Sequence, residues 1–221
     1  MINPGAGQSQ GSVQLRTYVY VDGFNLYYNA LKGTPYKWLD LLKLSRHLLP
    51  LHDVRRIRYF TARVTAMPHD IDQPRRQETY LRALRTLPNL TIHFGSFKVY
   101  PAWLPLATPP LSGSPLVKVL KPQEKGSDVN LATHLLIDAA EGSFEAAVVI
   151  TNDSDLRAPI RAIREIYKLP VGVLHPHAKP SKELHQEAAF CRGVSEGALK
   201  ACQFQPSLED RGGRFTKPAT W

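Results

Sequence analysis

Acidic residues follow two of the most apolar segments of this sequence. Asp22 ends the segment YVYVD, and Asp153 and Asp155 follow the segment VVITN. A further acid, Asp128, begins a helical pattern after a Gly–Ser pair. Carboxylate oxygens without histidine or cysteine partners favour hard cations such as Mg²⁺ or Mn²⁺. The sequence therefore suggests an oxygen-ligand metal site, provided that the fold brings these acids together.

Polar neighbours of the acids are candidates for catalytic support. Asn25 lies three residues after Asp22, where its amide would orient a ligand or a phosphate. Thr151 and Ser154 lie on either side of Asp153 and are predicted to position water or phosphate. Ser154 is equally well placed to cap the local turn.

Each acid also has an ordinary structural explanation. Asp22 with Gly23 suits a turn, and Asp128 and Asp155 suit the N-termini of helices. A parallel sheet, however, would bring these turns to one edge. Two like charges about 4 Å apart then cost about 4 kcal/mol at an effective dielectric of roughly 20, and a divalent cation would offset that repulsion.

The elements that must position these acids alternate along the chain. Uncharged strand segments that alternate with helices are typical of a mainly parallel sheet covered on both faces. We therefore predict an α/β fold, a three-layer α/β/α sandwich, with the site beyond the carboxyl ends of the strands. Strands are predicted over 17–21, 55–62, 91–99, 147–151 and 171–174, and helices over 38–49, 72–87, 128–140 and 156–168.

Composition divides the chain into one domain with two terminal segments. Residues 1–15 are rich in Gly, Ser and Gln and are predicted to form a flexible arm. Residues 16–204 hold the alternating elements, and residues 205–221 are predicted to be a C-terminal tail. Residues 101–123 contain six prolines and are predicted to be an inserted loop, with a small hairpin through Leu116–Leu120 as an alternative.

Charge and cysteine usage restrict the class of protein. Basic residues outnumber acidic residues 28 to 19, for a formal net charge of +9. This excess attracts polyanions without identifying them. No apolar run of about 18 residues predicts a membrane helix, and the first residues lack a signal-peptide pattern. Cys191 and Cys202 are too few for a disulfide framework and lack zinc spacing, so reduced thiols and a cytoplasmic location are expected.

The sequence resembles the NYN domain family, bacterial branch, of the PIN-like nuclease superfamily in three segments: VDGFNLYY, KGSDVNLATHLL and VVITNDSDLRAPIRAI. The resemblance runs from Thr17 to Pro176. It implies a PIN-like fold, a Mg²⁺ or Mn²⁺ cofactor, and hydrolysis of single-stranded RNA to 5′-phosphate and 3′-hydroxyl products. The residues that match the family are the acids Asp22, Asp128, Asp153 and Asp155, the catalytic Asn25 and the basic Lys125.

The chain departs from the family pattern at His134, where many relatives carry an aspartate. Position 134 lies six residues after Asp128, so an acid there would act from the margin of the site. The departure leaves one or two metals as alternatives, with a weaker second site and a preference for Mn²⁺. We interpret His134 itself as a helix-packing residue, and His175 and His177 as loop residues rather than a metal pair.

Basic and aromatic residues provide the expected nucleic-acid surface. Cations would track the RNA backbone and aromatic rings would stack bases. The alternatives are a solvated helix face for the arginines and the core for the aromatic residues. Homo-oligomer formation is left open. The basic candidates are Arg75, Arg76, Arg82, Arg85, Lys98, Lys118, Lys121 and Lys125, and the aromatic candidates are Tyr27, Tyr28, Phe97, Tyr100 and Trp103.

Two functions compete with a metal-dependent endoribonuclease, which is the leading hypothesis. A catalytically weak module of the same fold would bind RNA or regulate a partner; the retained acids disfavour it and His134 favours it. Some bacterial members of the family resemble the hydroxylase that acts on 6-hydroxy-3-succinoylpyridine. No GxGxxG fingerprint supports a nicotinamide or flavin site in this chain.

Overall fold

Strands and helices alternate through residues 14–221, the part of the chain that this computed structural model describes. In chain order they are β1 (Leu15–Asp22), α1 (Gly23–Leu26) with a π-helix (Tyr27–Leu31), α2 (Leu41–Leu48), β2 (His52–Thr61), α3 (Gln73–Leu84), β3 (Leu90–Phe94), β4 (Ser96–Pro105), β5 (Leu116–Lys125), α4 (Ser127–Ala140), β6 (Ala146–Ile150), a 3-10 turn (Ser154–Leu156), α5 (Arg157–Ala162) with a π-helix (Ile163–Tyr167), β7 (Val171–His175), α6 (Lys182–Glu187), β8 (Phe190–Gly193), α7 (Glu196–Ala201), β9 (Ser207–Asp210) and β10 (Gly213–Thr216).

Six parallel strands form the central sheet, in the order β3-β2-β1-β6-β7-β8. From β1 the chain moves outward through β2 to β3, and it then returns to β6 on the other side of β1. In open α/β sheets, ligands bind beyond the carboxyl ends of the strands at such a reversal. The ends of β1 and β6 are therefore the expected position of a site.

Alternate residues of β1 face opposite helical layers. Val19 and Val21 join the apolar core that includes residues of α2, α3 and α7, whereas Tyr20 joins the core that includes α4, α5 and α6. This follows from the two-residue period of a strand. The predicted three-layer α/β/α sandwich with a mainly parallel sheet is confirmed.

A buried ion pair connects the sheet to α4. The Asp138 carboxylate, on a residue 2% exposed, accepts hydrogen bonds from Tyr20 Oη at 2.5 Å and from Arg58 Nε and Nη2 at 2.7 and 2.6 Å. Burial and the neighbouring Asp138 raise the pKa of Tyr20, so its hydroxyl stays protonated and donates. The pair joins β1, β2 and α4 within one core.

Residues 101–123 form part of a hairpin whose loop is 106–115, so the hairpin alternative through Leu116–Leu120 is closer to the structure than the inserted loop. β4 and β5 pair antiparallel along their whole length and form a separate two-stranded ribbon. In an antiparallel ribbon, hydrogen-bonded and non-hydrogen-bonded residue pairs alternate. The bond from Leu106 N to Pro115 O identifies the hydrogen-bonded set, and Pro101, Pro105 and Pro122 all belong to the other set. Proline is tolerated there because its missing N–H removes no ladder bond.

Gly95 divides the strand that was predicted over 91–99. A Cβ at this position would lie 2.6 Å from the carbonyl oxygen of Lys125 and 2.9 Å from the backbone nitrogen of Ser127. The close approach lets β3 stay in the sheet while β4 leaves it. The ribbon consequently begins beside the first turn of α4.

Residues 205–221 form a packed hairpin rather than the predicted tail. Phe215 is only 9% exposed, and Trp221 packs against α3. Arg82 of α3 binds the hairpin to the domain. Its Nε and Nη2 donate to Asp210 at 2.7 and 2.6 Å, and its guanidinium lies 4.1 Å from the Phe215 ring centroid. The C-terminal segment is therefore part of the domain.

The predicted N-terminal arm, residues 1–15, lies outside the described residues except for its last two, and Leu15 begins β1. Within residues 14–221 no helix is both long and apolar enough to span a bilayer. Cys191 and Cys202 are free thiols.

Candidate active site

The carboxyl ends of β1 and β6 bring the first and third sequence motifs together. Asp22, 3% exposed, accepts hydrogen bonds from the backbone N–H of Asn25 at 2.9 Å and from Thr151 Oγ1 at 3.0 Å. The Asn25 side-chain oxygen accepts from the backbone N–H of Asn152 at 3.0 Å. These bonds fix α1 and the turn after β6 relative to each other across the strand-order reversal.

Thr151 positions two of the acids. Its hydroxyl donates to Asp22 and accepts from the backbone N–H of Asp153 at 3.1 Å. Because its single proton is donated to Asp22, we reassign Thr151 from water or phosphate positioning to positioning of the acids. Asp153 in turn accepts from the backbone N–H of Asp155 at 3.0 Å, and both Asp155 and Ser154 are exposed.

Asp128 lies half-buried in the first turn of α4, where it does not cap the helix. The N-cap position belongs to Gly126, in a left-handed conformation with φ 93°. Burial raises the pKa of Asp128, and Asp153, Glu124 and Asp155 raise it further. The side chains of Asp22 and Asp153 accept N-terminal N–H groups and act as caps. Asp128 and Asp155 instead lie in the first turns of α4 and of the 3-10 turn, where the helix dipole favours an acid.

Unfavourable electrostatic interactions are concentrated on Asp22. Its pKa is raised to about 7, first by burial and then by the negative charges of Asp128 and Asp153, although the hydrogen bonds from Asn25 and Thr151 act in the opposite direction. The carboxylates thus share one environment at the edge of the sheet. A cation placed among them would relieve both the burial penalty and the repulsion.

The geometry limits how a metal would be held. Among residues 14–221, no three acidic, histidine or cysteine side chains stand close enough together to hold an ion. The site is therefore not a closed cage of four direct ligands. The donor chemistry still fits Mg²⁺ or Mn²⁺, because Mg²⁺ usually binds through one or two carboxylates and keeps several waters. Asp22 and Asp153, both oriented by hydrogen bonds, fit such a role.

His134, which is half-buried on α4, packs against two rings of neighbouring strands. Its ring centroid lies 4.1 Å from that of His93 and 5.9 Å from that of Phe60. Burial, followed by the charge of Arg58, lowers the pKa of His134, so the neutral ring is favoured. These contacts support the packing interpretation of His134.

The arginines of α3 do not form one free surface. Arg82 is committed to Asp210, so we withdraw it from the nucleic-acid surface. Arg76 is paired with Asp70, and Arg85 with Glu78. Arg75 is exposed on α3.

The lysines of the β4–β5 ribbon separate by face. The register places Lys98, Lys121 and Lys125 on the same face as Tyr100, whose hydroxyl donates to Gln123 at 3.2 Å. The opposite face carries Phe97, which stacks on Phe24 beside the site with ring centroids 6.1 Å apart, and also Lys118, which pairs with Trp103. Trp103 is 62% exposed.

Sequence reasoning missed two polar residues at this edge. Glu124 raises the pKa of Asp128 and accepts a hydrogen bond from the backbone N–H of Ser127 at 3.0 Å. Its position directly ahead of the KGSD segment could have identified it in the sequence. Asn152 lies inside the TNDSD segment itself. Its side chain accepts from Ser181 N at 2.7 Å and donates to Lys179 O at 3.1 Å, which holds the loop after β7 against the site.

The parallel sheet with helices on both faces defines a three-layer α/β/α domain, with the acids described above at its strand-order reversal. Residues 16–191 match the family described as the NYN domain, which implies a nuclease-like fold. The chain therefore belongs to the NYN domain family, as the sequence motifs predicted.

The chain is similar in sequence to one known protein and in fold to another. It is 31% identical over 239 aligned positions to 6-hydroxy-3-succinoylpyridine 3-monooxygenase HspA of Pseudomonas putida, an alignment that covers 95% of this chain and 76% of that protein. A crystal structure of a Vibrio parahaemolyticus protein of unknown function shares the fold with a TM-score of 0.55 at 15% identity, over 85% of this chain and 97% of the other.

The raised pKa of Asp22 has a measurable consequence for stability. Because the folded-state pKa of about 7 exceeds the ordinary value of 3.8, the wild type should lose stability as pH rises through this interval and stay lower above it. Asp22→Asn should therefore be more stable than wild type at pH 8 by on the order of 2–4 kcal/mol, and the gap should close toward about pH 4. Denaturant unfolding at several pH values measures this; Asp53→Asn, on an acid whose side chain is 37% exposed, should show no such gap.

Proposed function

We propose that the protein is a metal-dependent endoribonuclease that acts on single-stranded RNA. The observation that carries the proposal is the environment of the buried Asp22 at the strand-order reversal. Thr151 connects Asp22 to Asp153 by hydrogen bonds, and burial and neighbouring acids raise the pKa of Asp22. Such an arrangement is unfavourable by itself and becomes favourable with a divalent cation. Membership of a family with a nuclease-like fold supports the same reaction.

The proposal gives the four acids two roles. Asp22 and Asp153 would hold Mg²⁺ or Mn²⁺, and Asp128 and Asp155 would bind its waters. When bound, the ion supplies Lewis acidity and lowers the pKa of water for in-line attack on phosphorus. Asn25 would keep Asp22 oriented toward the substrate through its backbone N–H, and Ser154, exposed in the turn, would contact a phosphate oxygen.

RNA would approach along the lysine face of the ribbon, defined by Lys98, Lys121 and Lys125. This face begins beside α4, and its cations complement the phosphate backbone while Tyr100 offers a ring for stacking. Arg75 is exposed on a different element, α3. The ribbon is thus the principal positively charged track in the proposal.

The ribbon faces can be compared directly. Removing a cation that neutralises one phosphate should reduce the slope of log affinity against log salt by about 0.7 for a single strand. We expect Lys121→Ala to reduce the slope by about that amount for unrelated RNA sequences. Lys118→Ala, on the opposite face of the same strand, is the matched control. A slope that depends on Lys118 and not on Lys121 would assign the RNA to the other face.

The decisive experiment is a cleavage assay. End-labelled single-stranded RNA is incubated with the wild-type protein and Mn²⁺, Mg²⁺ or EDTA, and the product termini are determined. We expect cleavage with either ion, none with EDTA, and 5′-phosphate with 3′-hydroxyl ends. RNA binding without cleavage under all conditions would instead favour the catalytically weak RNA-binding module.

A second candidate function rests on the named relative. The chain aligns over most of its length with a protein named as a monooxygenase of 6-hydroxy-3-succinoylpyridine. The test is oxygen consumption with that substrate, with and without NADH. Substrate-dependent oxygen uptake, combined with the absence of RNA cleavage, would replace the nuclease proposal.

A further inference from the structure

A cavity of about 430 Å³ opens between the first π-helix, α3 and the C-terminal segment. This volume lies within the range of about 300–1,000 Å³ that is usual for small-molecule sites. Its lining is rich in aromatic rings. They are Phe24, Tyr27, Tyr28, Tyr59, Tyr80 and Trp221.

The cavity adjoins the acids described above. Gly23, the residue after Asp22, forms part of its wall, and a Cβ at Gly23 would lie 2.7 Å from the ring of Tyr59. The negative charge of Asp22 also contributes, after burial, to a raised pKa of Tyr59. A molecule in the cavity would therefore contact the residue next to Asp22, one of the proposed metal ligands.

The charged residues of the lining are mostly cationic. Lys32, Lys37 and Arg76 line the cavity, and Asp70, which pairs with Arg76, is the acid among the lining residues. Lys32 Nζ lies 5.0 Å from the ring centroid of Tyr28, a residue that is 53% exposed. The rim thus joins an exposed ring to an ammonium group.

We propose that this cavity binds one nucleotide of the substrate strand, with its base against the aromatic wall and its phosphate at Lys32. The aromatic rings suit a planar base in any sequence, because every base has a π-face. The excess of cations suits the attached phosphate rather than a neutral ring. The inference rests on the proposed nuclease function, since it places the nucleotide beside the acids.

The test separates binding from cleavage. Asp153→Asn protein in EDTA is titrated with adenosine 5′-monophosphate, adenosine and pyridine-3-carboxylate by calorimetry. We expect the nucleotide to bind with a Kd below about 1 mM, and adenosine to bind about tenfold more weakly because it lacks the phosphate. Binding of pyridine-3-carboxylate without binding of the nucleotide would overturn the proposal, as would binding of neither.

Variants locate the bound nucleotide. Tyr28→Ala should weaken both adenosine and its monophosphate about tenfold, whereas Lys32→Gln should weaken the monophosphate alone. The matched controls are Tyr167→Ala and Lys200→Gln, exposed residues outside the cavity lining, which should change neither affinity. Nucleotide binding that ignores both Tyr28 and Lys32 would place the ligand elsewhere. Cleavage of RNA by the wild type without nucleotide binding in this cavity would contradict the subsite and leave the nuclease proposal intact. Nucleotide binding in the cavity without RNA cleavage would support the subsite and contradict the nuclease proposal.

Discussion

Asp153→Asn is expected to lower metal-dependent RNA cleavage by about 10²–10³-fold, equivalent to roughly 3–4 kcal/mol of transition-state stabilisation. The substitution keeps a side-chain oxygen for the backbone N–H of Asp155 but removes the charge that would hold the ion. The fold should survive, because Asp153 lies outside both apolar cores. Initial rates of cleavage at saturating Mn²⁺ measure the effect.

The control for this experiment removes a negative charge from the C-terminal end of α4, away from the site. Glu141→Gln changes an exposed acid that lies about 20 Å along the helix axis from Asp128. It should leave the rate unchanged. Mn²⁺ should also raise the melting temperature of wild type more than that of Asp153→Asn. Equal cleavage by wild type and Asp153→Asn would remove Asp153 from the metal site.

Asp138→Ala should destabilise the folded protein by about 3–5 kcal/mol, the usual consequence of breaking a buried ion pair. The substitution removes the acceptor of three hydrogen bonds and leaves the Arg58 guanidinium, whose side chain is 11% exposed, without its carboxylate. It also deprives the Tyr20 hydroxyl of its acceptor. Denaturant unfolding at pH 7 gives the free-energy difference.

Asp53→Ala provides the matched comparison, because Asp53 pairs with Arg55 at the surface, where their side chains are 37% and 64% exposed. Its removal should change the unfolding free energy by less than about 1 kcal/mol. Equal effects of the two substitutions would show that the buried pair contributes no more than a surface pair. Because both variants remove the aspartate of an Asp–Arg ion pair, the comparison tests how burial of the pair affects the free energy of unfolding.

Local sequence patterns were sufficient for five of the six strands of the central sheet, and they missed the edge strand β8. The apolar segments ending at Asp22 and Thr151 are short, uncharged and followed by turn residues, and strands of this kind are buried on both faces in parallel sheets. The carboxyl ends of parallel strands meet at one edge, so the proximity of Asp22 and Asp153 followed from the fold class. Asp128 could be added because the GSD segment begins a helix.

The two antiparallel hairpins show where local patterns failed. Prolines in 101–123 indicated a loop, yet a two-stranded ribbon accommodates proline in alternate pairs. Residues 205–221 looked like a polar tail, although Phe215 packs under the Arg82 guanidinium. The C-terminal hairpin depends on Arg82, which is distant along the chain. The β4–β5 ribbon depends on strand pairing that a proline-rich sequence does not usually indicate.

The sequence by itself determined the fold class and the family, and it nominated the acids of the candidate site, because these depend on strand and turn patterns that are local and on motifs that are contiguous. Only the tertiary structure decided what each polar group does. Thr151 donates its proton to Asp22, Arg82 donates to Asp210, and His134 packs on His93, since hydrogen bonds and ring contacts reach only a few ångströms and depend on which distant residues the fold brings near.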